Sequence, residues 1–470
     1  MSHTRAARIC AILAALCLIT SKLTAQAPGA AAQGNQSAGQ SAGHAAQTAT
    51  PTNDSQVSTG PQNYAASAAP GADPRKPPPA APGALTLQQV IDRAKSQNPT
   101  LLAAEADLRS VRALEIRAGV RQNPFLGVAG TGITEPGDAA TPYAYSVQVS
   151  RLFERGNKRE YRLENARSTT AQTAALLNDT IRQTVLQVKT AFTHMLFAKQ
   201  SLLISRAQLA DFQHEVEIAH DRYTAGDLGK LDYERLDLQL GSFESDVAND
   251  TIALQQASDQ LQTLMGVPIP SATFDIVSDI VPPVVTQTRD ELVTIGLANR
   301  PDVAAAHSGV DVANSAYRLA VANGTTDPTI EGEYERAGPE NTAGFNVNIP
   351  LRIFDRNQGN KESTHLAIDT ARFAETTARN QVTSDVDQAW VAYVQARTLS
   401  DRFGTHYLDE STDVLGIARF AFDHGGIALI DYLDALREAR SSTSDALNAY
   451  QQTWLAIHQL SAASATELTP

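Results

Sequence analysis

Asp431 and Asp434 follow a Gly425-Gly426 pair, and their i, i+3 spacing sets two carboxylates on one helical face. Such a pair is ordinary on any solvated helix. The matching positions in the first half of the chain are Asp232 and Arg235. His214-Glu215 with His220 has the composition of a zinc site, but a helical HExxH motif sets its histidines four apart. These are six apart, on different faces, and read as a solvated flank of a coiled coil. The two cysteines, Cys10 and Cys17, lie in the first twenty residues. Disulfide frameworks, thiolate metal sites and thiol catalysis are therefore excluded downstream. No catalytic constellation and no cofactor or metal site is visible, so the chain reads as a non-enzyme.

The 470 residues exceed one compact domain, and aromatics make up only 6%. Any core must be built from Ala, Leu, Val and Ile. The formal charge is −13, and residues 85–470 hold 33 basic against 49 acidic groups, a net −16. That balance excludes a nucleic-acid partner, because no basic excess exists to neutralise phosphates. Arg5 and Arg8 precede an apolar run from Ile9 to Ile19, too short to span a bilayer. With Ala25-Gln26-Ala27 behind it, 1–27 reads as a signal peptide. Residues 28–84 lack Leu, Ile, Phe, Met and Trp and hold nine of the 22 prolines. Such a segment cannot offset the cost of ordering its backbone, and it is expected to be disordered.

From residue 85 the chain repeats itself. Asn98-Pro99-Thr100-Leu101 resembles Arg300-Pro301-Asp302-Val303, each ending a short helix pattern. Arg151-Leu152-Phe153-Glu154-Arg155 matches Arg352-Ile353-Phe354-Asp355-Arg356, and Gly156-Asn157-Lys158 matches Gly359-Asn360-Lys361. Tyr223, Gly226, Asp232 and Tyr233 match Phe422, Gly425, Asp431 and Tyr432. Four matches in one order at nearly constant spacing mean duplication. The halves are 85–287 and 288–462, with 463–470 as a flexible tail.

Each half pairs two alternating segments with two long helices. Tyr143, Tyr145, Val147 and Val149 alternate with polar residues, as do Phe345, Val347 and Ile349. This period of two predicts strands at about 123–133 and 143–153, then at 328–336 and 344–354. The intervening loops are expected at Thr134–Pro142 and Ala337–Ala343. One face of the strands carries Gln148, Glu331, Glu333, Asn346 and Asn348, with Glu335 beside them. A seven-residue apolar repeat runs through Ala174, Ile181, Val188, Met195, Leu202, Leu209, Val216 and Tyr223. It predicts a coiled-coil helix about 95 Å long over 157–223, returning over 230–265. The second half has helices expected at 359–422 and 429–461, with Val386, Tyr393, Tyr407 and Val414 as seam residues.

Four strands cannot close a barrel, and lipid does not tolerate open edges. Closure needs several chains, for example three chains giving roughly twelve strands. Polar residues would then face a lumen. A soluble β-layer capping a coiled coil is the plainer alternative from periodicity alone.

A strand ending in a Leu/Ile-Phe-acidic turn, then Gly-Asn-Lys opening a very long helix, resembles the TolC-like outer-membrane efflux proteins. An aromatic-x-x-Gly turn followed about six residues later by Asp does so too. The resemblance covers 85 to about 462, in both halves. It implies a homotrimer, mainly α with a membrane β part: a twelve-stranded β-barrel in outer-membrane lipid, continued by a helical barrel across the periplasm. The short helices and residues 266–300 would form a belt around its middle. In the family the helix-to-helix turns form the periplasmic tip, which meets an adaptor protein of an inner-membrane pump. Tyr223, Gly226, Leu228, Phe422, Gly425 and Ile427 occupy those turns here, with Leu228 and Ile427 expected to be exposed. The family rings the narrow end with acidic residues, a role that falls on Asp431, Asp434 and Asp232. Where it uses a gate Arg, this chain has Ile427-Ala428-Leu429-Ile430. The implied function is a passive exit duct of a tripartite efflux or type I secretion system. Rival readings are a secreted coiled-coil scaffold or adhesin, and a periplasmic adaptor.

Overall fold

The computed structural model describes residues 73–132 and 143–468. The signal peptide, residues 28–72 and the first hairpin loop lie outside the described residues. Within them the chain runs α1 (Leu87–Gln97), α2 (Pro99–Gly119), β1 (Phe125–Thr131), β2 (Ala144–Leu152), α3 (Lys158–Ala225) and α4 (Lys230–Leu264). The second half repeats that order: α5 (Arg289–Asn299), α6 (Pro301–Ala322), β3 (Thr329–Ala337), β4 (Glu340–Asn348), α7 (Gln358–Asp401), α8 (Leu408–Asp423) and α9 (Leu429–Ser464). A π-helical turn, Arg402–Tyr407, joins α7 to α8.

The caps repeat with the elements. Thr86 opens α1 in a capping box with Gln89, and Thr288 opens α5 in the same way with Glu291. Pro99 and Pro301 each take the first turn of the next helix, where a missing N–H costs nothing. Asn98 caps α2 through Thr100 N at 2.8 Å and holds the Leu264 carbonyl at 2.7 Å. Its counterpart Arg300 is buried instead, on Asp302 and Asp385, each at 2.7 Å. The strand-to-helix corners are Asn157 and Asn357, at φ +55° and +62°. The second Gly-Asn-Lys, Gly359-Asn360-Lys361, therefore occupies the first turn of α7, just past the Asn357 corner rather than at it.

α3 is 68 residues long, about 100 Å at 1.5 Å per residue. Three apolar clusters hold the helices. One gathers Val90, Ile91, Val188, Met195 and Leu261, and a second Leu292, Val382, Val386, Tyr393 and Ile457. The third sits at the far end of the long helices, with Phe212, Leu236, Phe243, Tyr432 and Leu433.

Four expectations need correcting. The second helix of the long pair is not one heptad run: Val386, Tyr393 and Ser400 are buried, but Tyr407 and Val414 are exposed. Burial resumes at Leu408, then at the partly buried Leu415 and Phe422, so the π turn adds one residue to the seam. The β3–β4 loop is only Gly338-Pro339, because β4 starts at Glu340 and stops before Pro350. Gly338 at φ +61° supplies the left-handed first position of a II′-like hairpin. Residues 73–84 are ordered: Pro74 and Pro78 are buried, and Arg75 reaches Asp409 at 2.9 Å. The residues after 462 are not loose either, since Ser464 is buried and Glu467 binds Lys189 at 2.6 Å.

Candidate functional site

The sheet is antiparallel in the order β1-β2-β3-β4. Gln148 pairs with Glu333, Ser150 with Glu331, and Ser146 with Glu335. Glu331 in turn faces Asn346, and Thr329 faces Asn348. Directly paired residues share a face, so Gln148, Glu331, Glu333, Glu335, Asn346 and Asn348 form one polar surface. The other face holds Leu126, Val128, Tyr145, Val147, Val149, Ile330, Tyr334, Phe345 and Val347, all exposed. An exposed apolar sheet face this large needs a nonaqueous neighbour. Nine-residue strands rise about 30 Å, enough to cross a hydrocarbon core when tilted. Among the described residues, β1 and β4 each pair on one side only.

The opposite end holds the two helix-to-helix turns. Gly226 at φ +87° and Gly425 at φ +73° take the left-handed conformation that ends α3 and α8. Behind them, Asp227 N donates to the Arg222 carbonyl at 2.8 Å, and Gly426 N to the Ala421 carbonyl at 2.7 Å. Tyr223 stacks on Tyr233 at 5.3 Å and 4°, and Phe422 stacks on Tyr432 at 5.2 Å and 7°. The same aromatic clasp thus closes both turns. Arg222 lies 5.9 Å from the Phe422 ring and links them. Leu228 and Ile427 are not free contacts: both are half-buried against the tip cluster.

Asp431 and Asp434 are both exposed, while Tyr432 and Leu433 between them turn inward. The Asp431 carboxylate accepts from Ala428 N at 3.3 Å, which caps α9. Asp434 pairs with Arg437 at 2.6 Å, and Asp232 with Arg235 at 3.6 Å. The structure therefore brings Asp431 and Asp434 to one surface and gives each a local partner.

Two ion pairs across the hairpins escaped the sequence. Glu215 meets Arg419, joining α3 to α8, and Asp246 meets Arg440, joining α4 to α9. Glu215 is mostly buried, which corrects its reading as a solvated flank; His214 beside it is exposed. Burial pushes the Glu215 carboxyl up, against the opposing pull of Arg419. Tyr432, also buried and near the Glu215 charge, is pushed up to about 12. Partners some two hundred residues apart leave no local signal; the placement of Glu215 beside an inward seam residue, Val216, is the available hint.

A four-stranded ribbon with one greasy and one polar face, mounted on helical hairpins whose longer leg runs about 100 Å, defines an outer-membrane channel subunit. Residues 90–267 and 292–465 match the family model for outer membrane efflux proteins, so the chain belongs to the outer membrane efflux protein family. It is 26% identical over 364 residues to the cobalt-zinc-cadmium resistance protein CzcC of Cupriavidus metallidurans, covering 76% of this chain and 84% of that protein. Its fold is similar to the MtrE outer membrane channel of Neisseria gonorrhoeae, with TM-score 0.68 and 19% identity over 82% of this chain and 89% of that one. It is similar too to the outer membrane protein VceC of Vibrio cholerae, with TM-score 0.67 and 17% identity over 82% and 97%. The chain is an outer-membrane exit channel of an efflux system, with its helices on the periplasmic side.

Proposed function

We propose that three copies close one passive duct, each contributing its four strands to a barrel of roughly twelve. The observation that carries this is the sheet, which among the described residues has two unpaired edges and an exposed apolar face. One copy cannot cross lipid, because each unpaired edge group in hydrocarbon costs several kcal/mol. The tip, closed by Tyr223–Tyr233 and Phe422–Tyr432, is where a periplasmic adaptor and an inner-membrane pump would engage. The duct does no chemistry of its own; the pump supplies the energy.

Cations are the cargo class the charges favour. Glu331, Glu333 and Glu335 line the polar face of β3, and Asp431 and Asp434 lie exposed at the tip. Arranged round an axis, such rings concentrate cations and repel anions. The likeness to a protein named for cobalt, zinc and cadmium resistance supports the same class. The test is purification in detergent, native mass measurement and reconstitution in planar bilayers. Trimers forming cation-preferring pores are expected; detergent-independent monomers without conductance would overturn the proposal.

A further inference from the structure

We propose that the corner where the first repeat passes from strand to long helix binds the phosphate headgroup of an anionic phospholipid in the periplasmic leaflet. The inference rests on the lipid-facing reading of the sheet and not on the number of copies around it. Arg151 pairs with Ile330, which pairs in turn with Val347. It therefore stands on the apolar face, as the last outward residue of β2 and next in line after exposed Val149. At the far end of that face stands Arg336, opposite Tyr145, and no charged residue lies between the two levels. A guanidinium is costly at the middle of a bilayer and nearly free at headgroup level. Arg151 thus marks the height of the lipid phosphates on the periplasmic side. Its guanidinium carbon lies 5.2 Å from the ring centre of Phe153, an exposed aromatic suited to the same level.

Arg151 is not alone there. Arg121 and Arg155 line the same open cleft of about 600 Å³, with Gln122 and Arg159. The neighbouring carboxylates are already held. Arg162 binds Glu154 at 3.0 Å, Arg159 binds Glu160 at 2.9 Å, and buried Lys158 holds Asp327. Among the described residues, Arg121, Arg151 and Arg155 have no carboxylate within ion-pair distance. Three uncompensated guanidiniums in a segment, 85–470, of net charge −16 call for an anion from outside the chain.

The duplication supplies an internal control. Residues 117–123 and 151–159 hold six basic side chains and one acidic, whereas the matching 320–328 and 352–359 hold two and two. The second repeat turns the same corner without the surplus, so folding does not require it. Clustered basic groups at headgroup level bind anionic lipid, and the guanidinium fork matches phosphate oxygens two at a time. The acyl chains would run up the apolar face directly above Arg151.

The test is native mass spectrometry of the full chain in mild detergent, with phosphatidylglycerol and phosphatidylcholine added in equal amounts. A phosphatidylglycerol retained on each subunit is expected, several-fold above phosphatidylcholine. Arg121→Gln, Arg151→Gln and Arg155→Gln together should bring the two lipids level. A charge-matched triple, Arg93→Gln with Arg109→Gln and Arg206→Gln, removes exposed arginines elsewhere and should keep the preference. A parent protein without preference would overturn the inference with no variant needed, and so would equal losses from both triples. Retention of added inorganic phosphate in place of lipid would assign the cleft to a soluble anion and overturn it as well. Lipid is counted per subunit, so a wrong copy number would defeat the three-copy duct and leave this result decisive.

Discussion

His458 is 2% exposed; its Nε2 lies 3.1 Å from Thr193 Oγ1, and its Nδ1 has no hydrogen-bond partner among the described residues. Burial, with the nearby Lys189 charge, lowers its pKa from 6.5 to about 3. The folded ring is thus neutral where the unfolded one takes a proton. Above pH 6.5 neither state is charged and nothing is lost. As pH falls from 6.5 towards 3, the unfolded state binds the extra proton and stability drops. At pH 5 the loss is roughly 2 kcal/mol, at about 1.4 kcal/mol per pH unit. Thermal unfolding of the detergent-extracted protein at pH 7 and pH 5 should show a lower midpoint at pH 5. His458→Gln should shrink that difference; an unchanged difference would place the acid sensitivity elsewhere.

Among the elements, the π turn separates the two repeats most clearly. The buried pairs Val188/Val386 and Met195/Tyr393 differ by 198 in number, whereas Val216/Leu415 and Tyr223/Phe422 differ by 199. Tyr450 Oη donates to the Gly404 carbonyl at 3.2 Å, and a β-carbon on Gly404 would collide with the Tyr450 ring. Gly404→Ala should therefore destabilise by about 1–3 kcal/mol, the usual penalty of overpacking. Tyr450→Phe removes one hydrogen bond and should cost nearer 1 kcal/mol. Both are read from chemical unfolding midpoints, and a Gly404→Ala protein as stable as the parent would show the packing is slack. The helices, hairpins and duplication were legible because a period of two or seven is written locally. The extra residue was not, because Tyr407 and Val414 continue the heptad count and look like seam residues. Composition alone reads 73–84 as unable to fold, because it cannot show that Pro74 and Pro78 become buried. The tip turns were legible by Gly226 and Gly425, but the inward lean of Leu228 and Ile427 depends on the partner hairpin.

On the scale of the whole molecule, acidic groups sit at both ends of the proposed path. Glu331, Glu333 and Glu335 line the sheet, and Asp431 and Asp434 lie beside the tip turns. Fields focus most strongly where a pore is narrowest. Asp431→Asn with Asp434→Asn should therefore lower cation-over-anion permeability several-fold in bilayers. Glutamine at the three strand glutamates should lower it less. A larger effect from the strands would move the constriction from the tip to the membrane.

The two hairpins of one subunit also differ mechanically. α3 runs for 68 residues without a break, while its counterpart is divided by the six-residue π turn. A π turn replaces the regular i→i+4 ladder with i→i+5 bonds and so interrupts the helix there. Torque applied by a partner at the bottom would pass up one leg through unbroken helix and meet the π turn about a third of the way up the other. The stiff leg acts as a strut and the jointed one as a crank.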